Sequence, residues 1–379
     1  MKSVYVTKLF AHDFRNLKQL ELTPHRQLNV FYGQNGQGKT NLLEAIAFAV
    51  SLKGIRTVKH SADLIAFGQP QAAIRAGFGD AEPFSVEIDI EGKGKRVRMN
   101  QKAIRDSSSL HSRAALVTFV PDDLLIALGS ASHRRRALDQ LTFGLFPAHA
   151  SIYRQYEKAL VERNQILRSP MFNMDVLQSF TQVLVDIGLA VVELRARAMQ
   201  IWLPLFAKVL SQITCDTIVS EMSYACSAAT KDAFLSRLEQ LRGEERARKT
   251  TLCGPHLDDI YISLGGHPAR AIASRGQARA IVLALKLAHL HAIANERQLS
   301  PILLLDDVAG ELDESNARHL LSTVNRLQAQ TFVTTTHLEA LPFSLSEHQS
   351  FRMENGQLTK DVPRRQIPTP AYPLSDALV

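Results

Sequence analysis

Gly33-Gln34-Asn35-Gly36-Gln37-Gly38-Lys39-Thr40 is a complete Walker A loop, and the residues on either side of it decide the fold. Before it, Leu28, Val30 and Tyr32 alternate along a short apolar run that reads as a strand. After it, Asn41-Leu42-Leu43-Glu44-Ala45-Ile46 opens a helix. Strand, glycine loop and helix in this order make the motif a phosphate site rather than a chance glycine turn. The glycines let backbone N–H groups wrap an anion without Cβ clashes, and the helix N-terminus adds partial positive charge. Nucleoside triphosphate binding is therefore expected at Gly33, Gln34, Asn35, Gly36, Gln37, Gly38, Lys39, Thr40 and Asn41. Lys39 would reach the β- and γ-phosphates, and the Thr40 hydroxyl would hold Mg²⁺.

Composition narrows the class. The 379 residues are 45% hydrophobic and 21% charged, ordinary for a soluble globular protein of two or three lobes. No run of about twenty uninterrupted apolar residues occurs, so no membrane span is expected. The start, Met1-Lys2-Ser3-Val4-Tyr5-Val6, lacks a signal-peptide core. Cys215, Cys226 and Cys253 are too few and too scattered for a disulfide framework or zinc knuckle. A cytoplasmic chain without structural metal is expected. The net charge of +7 favours a polyanionic partner. Basic residues concentrate at Lys93, Lys95, Arg96, Arg98, Lys102 and Arg105, and again at Arg134-Arg135-Arg136.

Periodicity divides the chain. Phe84, Val86, Ile88 and Ile90 alternate with polar residues, Glu91-Gly92-Lys93-Gly94 turns, and Val97 and Met99 resume, which predicts a hairpin in an antiparallel sheet. Leu116–Val120 reads as a more buried strand stopped by Pro121. From about residue 151 the spacing becomes helical, with a long pattern from Val176 to Ile213 that Pro204 would kink or divide. Pro301-Ile302-Leu303-Leu304-Leu305 reads as a central parallel strand, and residues 331–336 form a second β-rich run. The expected organisation is a discontinuous α/β head from 1–120 and 250–360, an inserted helical lobe from 121–249, and a flexible proline-rich tail from 361–379.

Asp306-Asp307 ends the apolar strand as a Walker B pair, Asp306 for Mg²⁺ and Asp307 to polarise water; such a pair could also cap the next helix or turn. One helix upstream stand Ser274, Arg275, Gly276 and Gln277. Taken alone they are a capped helix start. Placed before Walker B, they resemble the signature motif of ABC-type ATPases, whose signature helix binds the γ-phosphate held by the other subunit. Gly310-Glu311-Leu312-Asp313 resembles the D-loop, and Thr336-His337 the switch histidine, although a lone histidine ending a strand is also an ordinary surface residue.

The long insertion between Lys39 and Ser274 separates this pattern from transporter ATPases and points to SMC-like DNA-repair ATPases. Phe14-Arg15-Asn16-Leu17, the Walker A run, Phe119-Val120-Pro121-Asp122-Asp123-Leu124, Arg134-Arg135-Arg136-Ala137-Leu138-Asp139 and Gly254-Pro255-His256-Leu257-Asp258-Asp259 resemble motifs of the RecF family. Leu257 stands where that family often has Arg, and the Q-loop glutamine is not placed, Gln101 and Gln140 both being candidates. The resemblance implies an ABC-type P-loop ATPase head of α/β class, a mixed sheet with an antiparallel subdomain, plus an inserted α-helical lobe. It implies an ATP-dependent homodimer that clamps DNA at gaps or junctions, loads recombinase with RecO and RecR, and supports replication restart and the SOS response.

Lys39, Asp306, Asp307 and His337 are then the catalytic set, Thr40 and Asp306 the Mg²⁺ ligands, Ser274 to Gln277 the trans contacts, and Asp313 the D-loop acid. Asp307 replaces the Glu usual in fast ABC enzymes, which fits a weak, switch-like, DNA-stimulated ATPase. The two basic clusters are the DNA candidates. The 93–113 stretch is equally a solvated hairpin face. The Arg134 cluster is more telling, because cations at a helix start oppose its dipole unless an anion lies there. The competing classes are an ATPase with a non-DNA partner and an interaction protein with a dead site. The latter needs a broken motif residue, and none is broken.

Overall fold

The computed structural model describes residues 1–56, 58, 60–104, 107–171, 173–307, 314–338 and 348–360. Asp313, Arg105 and the 361–379 tail lie outside them.

Two six-stranded sheets form the head. The first runs Gln357–Lys360, His348–Glu354, Leu28–Tyr32, Thr331–Thr335, Ile302–Leu305, Leu116–Phe119. All neighbours are parallel except the terminal hairpin. Ile302–Leu305 and Thr331–Thr335 are buried at every residue, as strands covered on both faces require. The second sheet is antiparallel, in the order Leu17–Leu22, Tyr5–Phe14, Gln71–Gly79, Phe84–Glu91, Gly94–Met99, Lys102–Ala103. Its predicted hairpin is present, with Ile88 opposite Val97 and Val86 opposite Met99. The helix Lys39–Ser51 lies between the sheets, with Leu42, Leu43, Ile46 and Val50 in the core.

The middle of the chain is mainly helical: Ala131–Leu145, Ala150–Arg168, Met174–Thr214 and Lys231–Arg248. Pro204 does not end the third of these, which runs through it. A proline removes one backbone donor and crowds the preceding turn. Here the helix continues because Trp202 and Phe206 on either side are buried, and Trp202 Nε1 donates to the Leu285 carbonyl at 3.0 Å. This helix is long and apolar enough by composition to cross a membrane. Instead Leu184, Val191, Ala198 and Trp202 are buried against protein, mainly Ala150–Arg168 and the helix Arg275–Arg297. The middle region is not purely helical, because Met222–Ala225 pairs antiparallel with Asp259–Leu264. That polar-flanked four-residue strand escapes a periodicity reading.

Buried charge binds the helices together. Arg163 forks onto Glu245 at 2.7 and 3.2 Å and also donates to Thr181 and Thr251, so both charges of this pair are matched in the interior.

Candidate nucleotide-binding site

The Walker A loop joins Leu28–Tyr32 to Lys39–Ser51 through three left-handed glycines. A Cβ on Gly33 (φ +151°) would lie 2.4 Å from the Met353 carbonyl, and one on Gly38 (φ +112°) 2.8 Å from the Asn16 amide. The loop is clamped from outside. Asn355 N–H donates to Gln37 Oε1 at 2.6 Å, Gly356 N–H to the Gln37 carbonyl at 2.9 Å, and Asn41 to Asn16 at 2.8 Å.

Lys39 is 7% exposed and donates through Nζ to the Gly33 and Gln34 carbonyls at 2.6 and 2.9 Å. Burial lowers its pKa, while Asp307 and Asp306 act in the opposite direction. Thr40 Oγ1 donates to Asp306 at 2.9 and 3.0 Å. Thr334 Oγ1 donates to Asp306 Oδ1 at 2.7 Å and accepts the Asp307 N–H at 2.9 Å. A hydroxyl and a carboxylate at this spacing make an oxygen donor set suited to Mg²⁺, with phosphate and water completing the shell. Asp307 is exposed beside them in a left-handed turn (φ +53°).

Ser274 caps Arg275–Arg297 reciprocally: Gln277 N–H donates to Ser274 Oγ at 3.2 Å, and Ser274 N–H to Gln277 Oε1 at 2.9 Å. Ser274, Arg275 and Gly276 are exposed. Farther along this helix, Lys286 donates to Asp123 at 2.7 Å and to the Thr118 carbonyl at 2.8 Å, a tie to the loop beside Walker B that spacing did not reveal. His337 is exposed just beyond Thr331–Thr335.

The basic candidates separate. Arg134 is 4% exposed and forks onto Asp259 at 2.7 and 2.8 Å, so this guanidinium is a structural partner and not a surface for DNA. Arg135 donates to the Asp258 carbonyl at 2.7 Å. Arg98 pairs with Glu87 and Asp89, Arg96 with Glu91, and Lys95 donates to the Leu52 carbonyl at the end of the Walker A helix. Lys93 and Lys102 are exposed. Asp258, which faces Arg195, Tyr224 and Ser227, and Asp259 are held in the middle region; Asp307 is the acid beside Lys39. Gln101 sits in a turn of the antiparallel sheet, whereas Gln140 lines the same cleft as Thr40 and Asp306.

Glu44 and Arg15, given no role from the sequence, stand behind the loop. Glu44 is fully buried and is bridged at 3.0 Å by Arg15 and at 3.1 Å by Arg56. Arg15 lies in the Phe14–Leu17 motif, but spacing alone could not show what it holds.

The family model described as RecF/RecN/SMC N terminal domain matches residues 5–359. The chain belongs to the RecF family. It is 31% identical over 365 residues to the DNA replication and repair protein RecF of Geotalea daltonii, covering 93% of this chain and 99% of that one. It is 36% identical over 342 residues to the RecF of Anaeromyxobacter dehalogenans, covering 86% and 91%. A solved structure of the recombination mediator protein RecF–ATPrS in the RecFOR pathway superposes with a TM-score of 0.86 at 27% identity over 94% of this chain and 98% of that one. The Smc head domain of Pyrococcus furiosus, with an extended coiled coil and bound to the C-terminal domain of ScpA, shares the fold at a TM-score of 0.52 and 13% identity, over 94% and 96% of the chains. The RecF-family chain thus has the ABC-type head fold expected from its motifs.

Proposed function

We propose that this RecF-family chain is an ATP-dependent DNA clamp acting in DNA replication and repair. The observation that carries the reading is the meeting of Lys39, Thr40, Asp306 and Asp307 at one phosphate loop while Ser274 and Gly276 remain exposed on a capped helix. A helix start with exposed amides binds a phosphate. In the proposed closed state, Ser274 of one copy reaches the γ-phosphate held by Lys39 of a second copy, so ATP joins two chains. Bound at Thr40 and Asp306, Mg²⁺ would neutralise the charge developing on the phosphates.

The chain's own residues do the rest. Lys39 moves from its two loop carbonyls to the phosphates, Asp307 orients the attacking water, and His337 faces the γ-phosphate. Loss of that phosphate removes the inter-copy contact, so the dimer reopens. The short carboxylate of Asp307 favours slow turnover, which suits a switch. DNA lies against cations including the exposed Lys93 and Lys102 and the half-buried Arg135, and the RecO and RecR proteins of the same pathway are the proposed partners for recombinase loading.

The test is DNA affinity by fluorescence anisotropy with ATP·Mg²⁺ and with ADP·Mg²⁺, on duplex, single-stranded and gapped DNA. Tighter binding with ATP supports the clamp. Equal affinity in both states contradicts it, and no DNA binding in either points to the ATPase with a non-DNA partner.

A further inference from the structure

A cleft of about 550 Å³ opens from the Thr40–Asp306 pair, within the range of small-ligand sites. Its far wall is one face of the helix Ala131–Leu145: His133, Arg136, Ala137 and Gln140, at spacings of three, four and seven. The other side of that helix is locked. Arg134 is held by Asp259, and Asp139 by Arg195 at 2.9 and 3.1 Å. Arg195 in turn donates to the Pro255 carbonyl at 2.6 Å. The helix is therefore a rigid connector with one face on the nucleotide cleft and the other on the buried charges of the middle region.

We propose that Arg136 contacts the γ-phosphate of the nucleotide bound by its own chain, with Gln140 beside it, so that this helix carries an ATP-versus-ADP sensor. The inference rests on reading Thr40 and Asp306 as the Mg²⁺ end of a triphosphate site. A Mg²⁺ held by Thr40 and Asp306 would lie at the phosphate end of a bound triphosphate, so a cleft leading off these two residues lies on the phosphate side of the site. Arg136 is steadied on this wall by the Ile55 carbonyl at 3.4 Å, just beyond the Walker A helix. Arg56 lines the same cleft, and the helix carries no acid in its first turn. Asp122 and Asp123 line the cleft too, on its other side, so the two guanidinium groups mark the part of it that suits an anion. The basic cluster that charge alone would give to DNA is thereby divided: Arg134 is structural, and Arg136 is for nucleotide. ADP lacks the contacted group, so hydrolysis would remove this one contact while the helix keeps its ties to Asp259 and Arg195.

The experiment is equilibrium binding of ATP and ADP, each with Mg²⁺, to the full chain and to Arg136→Ala, Arg136→Lys, Gln140→Ala and Lys39→Ala. Arg136→Ala is expected to weaken ATP about tenfold, the scale of one charge-assisted hydrogen bond, with ADP within about twofold. Arg136→Lys restores part of the loss, because it supplies charge without the planar fork. Gln140→Ala shifts the ATP/ADP ratio in the same direction by less. Equal losses for ATP and ADP in Arg136→Ala, or no loss, overturn the sensor. Lys39→Ala controls for the site itself: if it spares both nucleotides, the triphosphate reading fails, which is a different result from an unchanged ATP/ADP ratio in the Arg136 variants.

Discussion

Thr40 donates its hydroxyl to both carboxylate oxygens of Asp306, at 2.9 and 3.0 Å, across 266 residues of sequence. The pairing of Leu28–Tyr32 and Ile302–Leu305 with the shared neighbour Thr331–Thr335 brings the two residues together. The same central strand supplies Thr334, which holds Asp306 from its other side. Removing the hydroxyl should therefore act on metal use before it acts on the fold. Thr40→Ala is expected to cost about 1 kcal/mol of stability, the usual scale of one hydrogen bond. It is also expected to abolish the gain in ATP affinity that Mg²⁺ gives over EDTA. Titrations in both conditions check this, and an undiminished Mg²⁺ effect would count against Thr40 as a ligand.

Glu245 and Arg163 are 0% and 2% exposed, so removing one leaves the other charged in an apolar interior. Glu245→Ala should destabilise by about 3–5 kcal/mol, seen as a large fall in the urea midpoint. The double variant Arg163→Met/Glu245→Leu should recover most of that loss, since neither charge remains. A Glu245→Ala protein as stable as the parent would show that the pair is not buried as described.

Acid should weaken the fold through His289. Burial lowers its pKa from 6.5 to about 3, with the Lys286 charge adding to the effect, and Nε2 has no hydrogen-bond partner among the described residues. The unfolded chain therefore takes up a proton between these values while the folded chain does not. Stability is full above about pH 6.5 and declines as pH falls toward about 3. Burial lowers His256 and His291 as well, in the same direction. Melting temperatures from pH 7 to pH 4 should fall less steeply in His289→Gln than in the parent. Parallel slopes would show that this imidazole is not held neutral.

Lys93, Lys95 and Lys102 are exposed basic residues of the hairpin stretch with no acidic partner assigned among the described residues, and of these Lys95 is held by the Leu52 carbonyl. If Lys93 and Lys102 meet phosphates, replacing both with Ala lowers the magnitude of the slope of log affinity against log salt by up to about 1.8, or about 0.9 for each contact. Arg96→Ala, which removes a partner of Glu91, should change the slope less. Salt titrations of DNA binding measure both, and an unaltered slope in the double variant would remove the hairpin from the interface.

Much of the fold and of the phosphate site was legible in the sequence. The phosphate loop announces itself through its glycines, of which Gly33 and Gly38 have no room for a Cβ, and Ile302–Leu305 through an apolar run too continuous for a half-wet strand. The Ser274 cap was readable from Ser and Gln three residues apart. What was not legible depends on distant pairing. Arg134, Arg135 and Arg136 are identical letters in a row, yet a turn of about 100° per residue sends one to Asp259, one to the Asp258 carbonyl and one to the nucleotide cleft. Charge counting cannot separate them. At Pro204 the helix is not divided, one of the two outcomes expected there, and the packing of Trp202 and Phe206 on either side accompanies its continuation.

A working site is proposed to need two chains, and mixing variants tests that requirement most directly. Lys39→Arg impairs the phosphate loop but keeps Ser274, while Ser274→Ala impairs the signature but keeps Lys39. Each alone should give no ATP-dependent dimer by mass and negligible ATP hydrolysis. Mixed, they can assemble one complete site, from the phosphate loop of the Ser274→Ala chain and the signature of the Lys39→Arg chain. The mixture is expected to regain a dimer and up to about half of the parent hydrolysis per dimer, one site of two. A mixture as inactive as its components would contradict the two-chain site, and so would a Ser274→Ala chain that dimerises and hydrolyses ATP like the parent.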